Sequence, residues 1–365
     1  VFAVTQLSHS LLAHLSLGGA LQVALLMVAV WWVWIFTSWI TNWLDPEALP
    51  IRLGLFVLMV AGLLLSSSIP QAFGERGLLF AGAYVFMQVG RTAYSLWAVR
   101  GEPLNMTRNF QRILLWLMFS GVFWITGGLL EGPQRLACWG LALAIEVLSP
   151  SLYFWVPGLG RSTLEDWNVE GNHMAERCAL FVIIALGESL LVTGATFAEL
   201  ATSAEGVLAF VVAVLGSIAM WWVYFDSGAE RAHHRIAHSS DPGRQARIAY
   251  TYLHVLIVAG IIVSAVADEL VLVHPQHASQ AAVLVIVGGP WLFLLGCALF
   301  KWVMNERPLP PLSHLAGLAA LLLLLPAAWN QWFSALALGS LTTLVMLLVA
   351  AWETLALRER AASRQ

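Results

Sequence analysis

Apolar stretches about as long as a membrane is thick recur from one end of this sequence to the other, and they restrict its fold more than any other feature. A helix needs roughly 20 apolar residues to cross hydrocarbon. Twelve segments reach or approach that length: 1–16, 18–43, 51–70, 78–99, 110–130, 134–156, 174–196, 206–226, 247–270, 278–303, 311–330 and 332–356. Only short polar punctuation separates them. Of the 365 residues, 59% are hydrophobic and 11% charged, against roughly 25% charged in soluble domains, and mean hydropathy is +0.78. The expected fold is all-α: a polytopic transmembrane helix bundle of about twelve spans with no soluble domain. Segment 1 opens on Val1-Phe2-Ala3-Val4 without a charged lead-in, and reads as a helix whose first turns precede Val1.

Basic residues set the expected orientation. Of 18 lysines and arginines, fifteen fall on the connections that follow even-numbered spans or on the C-terminal tail. Arg76 and Arg135 lie on the opposite side, and Arg91 falls inside a span. Positive loops mark the cytoplasmic face, so both termini are expected in the cytoplasm. Tryptophans near span ends, such as Trp39, Trp43, Trp155 and Trp329, match the interfacial preference of that side chain.

The chain also repeats itself weakly. VFAVTQLSHSLL (1–12) aligns with LFVIIALGESLL (180–191), placing His9 opposite Glu188. The next helix of each half carries Trp31-Trp32-Val33-Trp34 or Trp221-Trp222-Val223-Tyr224. Ala144-Ile145-Glu146 parallels Ala351-Trp352-Glu353. These matches point to a parallel six-plus-six internal repeat: an N-terminal half over 1–156, a cytoplasmic linker over 157–173, and a C-terminal half over 174–365 ending in a short cytoplasmic tail. Carriers built this way hold their substrate between the halves near the midplane.

The charges inside spans are the candidate site. Arg91, Glu146 and Glu188 each fall roughly 13–16 Å below the cytoplasmic surface at 1.5 Å per residue, where a charge costs at least about 2.5–3.5 kcal/mol. They are expected to share a buried cluster in which Arg91 neutralises Glu146, Glu188 or both, with His9 toward the outer side of the layer. A ligand or proton site and a structural ion-pair knot both fit. His173, Arg177 and Glu188 share one helical stripe with positions 180 and 184, expected to look into the bundle; Glu176 snorkels at the interface. Asp268 and Glu269 are expected to be solvated, and Tyr250 and His254 to line a cavity or face the interface. Cys138, Cys178 and Cys297 read as packing residues. The His233, His234, Arg235 and His238 group reads as a solvated loop rather than a metal site. No cofactor is implied: no phosphate-binding loop, metalloprotease spacing or serine-nucleophile turn occurs, and the only lysine, Lys301, sits at a helix end. The net charge of −3 gives no reason to expect a nucleic-acid partner.

Several of these residues carry a resemblance. The run Glu170-Gly171-Asn172-His173-Met174-Ala175-Glu176-Arg177, continuing through Leu186-Gly187-Glu188-Ser189, resembles the signature of the bacterial low-temperature-requirement A (LtrA) family. VFAVTQLSH (1–9), the tryptophan-rich second helix, SSSIPQAFGERGLLF (66–80), the Arg91 helix and the Ala144–Pro150 stretch also match. The resemblance implies an integral protein of the bacterial cytoplasmic membrane. It lends weight to Arg91, Glu146, His173, Glu176, Arg177 and Glu188, and implies an acidic, phenylalanine-rich lead-in before Val1. It implies no agreed substrate or reaction. Three readings stay open: a secondary transporter of a small anionic or lipid-like solute, an intramembrane enzyme or lipid- or pigment-binding protein, and a structural or sensor subunit. Expected partners are membrane lipids and a small anionic or hydrophobic ligand.

Overall fold

A computed structural model describes residues 1–43, 47–101, 104–163, 171–201, 203–226, 247–304 and 309–362. No β-strand occurs among them. The helices are α1 (Phe2–Ala13), α2 (Leu17–Trp43), α3 (Leu49–Ser68), α4 (Gly77–Val85), α5 (Arg91–Ala98), α6 (Leu104–Leu129), α7 (Gly132–Leu148), α8 (Gly171–Glu199), α9 (Ala204–Phe225), α10 (His254–Val273), α11 (Gln280–Met304), α12 (Leu312–Trp329) and α13 (Ala335–Ala362). Among the described residues, nine helical stretches are long and apolar enough to cross a membrane. Helices suit that environment because every backbone donor and acceptor is satisfied within the segment.

Three expected spans differ. Segment 1 gives the 12-residue α1. Segment 4 is helical throughout but broken in type: a π-turn, Phe86–Gly90, joins α4 to α5. Segment 6 stops at Leu148, eight residues before its expected end. There Pro150, which cannot donate to a continuing helix, begins a coiled turn. That turn is bolted to α6: Arg112 donates through Nε (3.0 Å) and Nη2 (2.7 Å) to the Leu159 carbonyl. Trp116 Nε1 donates to the Trp155 carbonyl at 3.1 Å.

The chain forms two compact units: the described residues from Leu17 to 163, and Ala3–Ser16 with the described residues from Gly171 onward. In the first, the buried rings of Phe80, Tyr84, Trp124 and Trp139 form one cluster, with Tyr84 and Trp124 centroids 4.3 Å apart. Arg135 ties loop to loop, donating to the carbonyls of Ala72 (2.8 Å), Gly74 (2.6 Å), Leu130 (2.8 Å) and Gly127 (3.2 Å). Gly77 makes room for it, since a Cβ there would lie 2.4 Å from the guanidinium carbon.

In the second unit, α10 and α11 pack backbone to backbone. A Cβ on Gly260 would lie 2.3 Å from the Phe293 nitrogen; one on Gly289, 2.7 Å from the Ser264 nitrogen; one on Gly296, 2.8 Å from the Ile257 nitrogen. Between apolar helices with no hydrophobic drive in lipid, such close approach is a main source of association.

Candidate functional site

The first unit builds its site around the π-turn. An i→i+5 turn places an extra residue in the helix and is often found at functional positions. Here it sets Gln88 and Arg91 beside α2, α6 and α7. Glu146, on α7 and 1% exposed, accepts four hydrogen bonds from neutral donors. Tyr84 Oη (2.7 Å) and Gln88 Nε2 (2.9 Å) bond Oε2; Ser120 Oγ (2.8 Å) and Trp124 Nε1 (2.8 Å) bond Oε1. Arg91, also buried, donates through Nη1 to the Val33 carbonyl (3.0 Å) and Thr37 Oγ1 (2.9 Å), and through Nη2 to Gln88 Oε1. Its Nε has no hydrogen-bond partner.

The expected direct pairing of Arg91 with Glu146 does not form. Gln88 stands between them, its carbonyl on the guanidinium and its amide on the carboxylate. Glu146 is stabilised by dipoles rather than by a cation, and Arg91 keeps an undischarged face. Arg91 also lines a cavity of about 550 Å³ between α2, α3 and α5, inside the range of small-molecule sites. The rest of its wall is uncharged and mostly apolar, including Ile40, Leu53, Val57, Phe86 and Tyr94.

In the second unit, Glu188 on α8 is buried and accepts a hydrogen bond from Thr5 of α1. His9, one turn beyond Thr5, is exposed and within electrostatic reach of Glu269. The stripe expected to face inward is largely exposed: Arg177, Leu180 and Ile184 lie at the surface, and Glu176 is exposed beside them. Helix α8 buries the adjacent face instead, with Met174, Cys178, Phe181 and Ala185. His173 is half-buried, as are Asp268 and Glu269. Tyr250 and His254 are fully buried, with His254 Nε2 2.8 Å from the Tyr224 hydroxyl. Cys178 and Cys297 are buried packing residues.

One charged cluster was missed by sequence reasoning. Lys301 does sit near the end of α11, yet it is only 2% exposed. Its Nζ donates to Glu353 Oε2 and to the Val223 carbonyl, both at 2.6 Å. His314 Nε2 lies 3.9 Å from the same carboxylate oxygen. The signal was present: the Ala144-Ile145-Glu146 and Ala351-Trp352-Glu353 match already made Glu353 the counterpart of a buried acid. Among the described residues no group of three or more His, Cys, Asp or Glu side chains could hold a metal. The His233, His234, Arg235 and His238 group lies outside the described residues.

The profile of the family described as "Bacterial low temperature requirement A protein (LtrA)" matches residues 1–351. The chain belongs to the LtrA family. It is 43% identical over 365 residues to an uncharacterized protein of Rhizobium meliloti (strain 1021), an alignment covering 98% of this chain and 87% of that relative. No solved structure matches the LtrA chain. Nine membrane-length helices among the described residues, with the family, make it a multi-pass membrane protein.

Proposed function

We propose that this LtrA-family protein is a carrier for an anionic amphiphile, a molecule with one negative head and an apolar chain, and that the cavity beside Arg91 is its binding site. One observation carries the reading: an otherwise uncharged, mostly apolar cavity has a single charged lining residue, and that cation is held off the Glu146 carboxylate by Gln88. A buried guanidinium with an unsatisfied Nε gains most from an anion, because charge-assisted hydrogen bonds are roughly twice as strong as neutral ones. The apolar wall suits a hydrocarbon chain. Leu53, Val57 and Phe86, each about half exposed, line its edge, where a chain from the bilayer would enter.

The carrier reading draws on the repeat. Each unit places a basic side chain on the Val33 or Val223 carbonyl of the tryptophan-pair helix, and each has an acid at the position of Glu146 or Glu353. The two valines and the two acids are residues that the sequence match pairs. Such correspondence supports a parallel six-plus-six repeat of twelve passes. In this reading α1, the α4–α5 segment and α7 complete the nine longer spans. The fifteen-to-two asymmetry of basic residues favours cytoplasmic termini in the bacterial inner membrane.

The test uses permanently charged probes in proteoliposomes. Decanesulfonate is expected to bind and cross, and decanol and decyltrimethylammonium to show no saturable binding. Arg91→Gln is expected to abolish the preference for the anion, and Arg91→Lys to keep part of it. Equal binding of all three probes, or an unaltered preference in Arg91→Gln, would refute the assignment. Binding without movement would make the protein a lipid-binding protein rather than a carrier.

A further inference from the structure

We infer that Lys301, Glu353 and His314, in the second unit, form a proton-binding site. The three come from α11, α13 and α12 and are at least nine-tenths buried. Titratable groups this deep among membrane-length helices commonly mark proton or ion paths. In the arrangement seen, the Lys301 ammonium bridges Glu353 Oε2 and the Val223 carbonyl, so one positive and one negative charge balance. His314 is the member left over. Its Nδ1 lies 3.2 Å from Ser313 Oγ, while Nε2 has no hydrogen-bond partner and faces Glu353 Oε2 at 3.9 Å. That is roughly 1 Å longer than an ordinary N–H···O hydrogen bond. A buried nitrogen without a partner is unfavourable, and a proton arriving on it would supply a charge-assisted bond to the carboxylate.

The step balances simply. Starting from the neutral ring with its hydrogen on Nδ1, directed at Ser313 Oγ, one proton from solvent adds to the bare Nε2, which then donates to Glu353 Oε2; Lys301 keeps its bond to the Val223 carbonyl, and the cluster gains one positive charge. The other titratable groups around it are accounted for. Cys297, one turn before Lys301 on α11, lies within electrostatic reach of Lys301 and Glu353. Tyr224 on α9 and His254 on α10 are bonded to each other, and His254 Nδ1 lies 2.8 Å from the Ala249 carbonyl. Proton binding here does not require the Arg91 cavity to hold any ligand.

The experiment follows histidine ring signals by nitrogen NMR in the full chain, labelled at histidine and held in nanodiscs, with His314→Gln identifying the relevant peak. In the wild type that peak is expected to move to the protonated form as the solution is acidified from about pH 8 to about pH 4, the range that covers histidine and carboxylate titration. Glu353→Gln is expected to abolish the titration. Because that change strands the Lys301 ammonium, Lys301→Gln/Glu353→Gln, which removes both charges together, is the second variant, with the same loss expected. A His314 peak that stays neutral across the range in the wild type overturns the site. So does a titration that persists unchanged in the folded variants.

Discussion

Glu146 offers the sharpest test of how the first unit is held together. Its carboxylate receives Tyr84 and Gln88 on one oxygen and Ser120 and Trp124 on the other. Replacing it by leucine keeps the bulk and strands the Tyr84 hydroxyl and the Trp124 indole, while Ser120 Oγ can turn to the Leu117 carbonyl at 3.1 Å and Gln88 Nε2 keeps the Tyr84 oxygen at 3.3 Å. At about 1–3 kcal/mol for each stranded group, the loss is roughly 2–6 kcal/mol. That is a large share of a whole domain's stability of about 5–15 kcal/mol, so Glu146→Leu is expected to be strongly destabilised. Glu146→Gln is more informative. The indole of Trp124 can only donate, so the new carbonyl must face Trp124 and Ser120. The new amide then faces Tyr84, whose hydroxyl can turn to accept, and Gln88, which must flip its amide. A flipped Gln88 presents nitrogen to Arg91 and breaks that bond. The expected cost is about 1.5–3 kcal/mol, the worth of one hydrogen bond to a charged group, together with tighter anion binding at a site Glu146 never touches, because Arg91 loses both the Gln88 carbonyl and a nearby negative charge. The assays are thermal unfolding in detergent, followed by size exclusion, and decanesulfonate binding. A Glu146→Leu protein as stable as the wild type, or a Glu146→Gln protein with unaltered binding, would refute this account.

Two further outcomes are expected. Arg135→Met frees the four carbonyls that the guanidinium gathers; it should lower stability by roughly 3 kcal/mol and speed proteolysis of the 69–76 turn, measured by unfolding and limited digestion. Gly260→Ala drives a methyl into the Phe293 backbone and should cost about 1–3 kcal/mol by overpacking. Gly288→Ala, which meets nothing within 4 Å, should be neutral or stabilising, and equal effects at the two positions would count against the close α10–α11 contact.

The sequence exposed what depends on local composition. Apolar runs located the membrane-length helices, and charges inside them located Arg91, Glu146 and Glu188. What it hid depends on helices far apart in the chain. Gln88 looks like an ordinary polar residue until the turn at 86–90 brings it between a cation and an acid. Lys301 reads from the sequence only as a residue at a helix end; the Val223 carbonyl and Glu353, 78 and 52 residues away, hold its ammonium in a buried place. The stripe on α8 was periodic, as read, but periodicity cannot say which face meets protein and which meets lipid when both are apolar. Leu180 and Ile184 are compatible with either.

The wide turn at Phe86–Gly90 means that the site is encoded partly by chain length. Each residue added to or removed from a helix rotates everything beyond it by about 100°. Deleting one residue from this turn would leave a more regular helix and keep Tyr84, Gln88, Arg91 and Glu146 all present. Arg91 would nonetheless swing away from the Val33 carbonyl, and α5 would turn a different side to its neighbours. Homologues that share every residue of the cluster can therefore differ in whether they possess it, and a single gap in an alignment at this turn would separate the two.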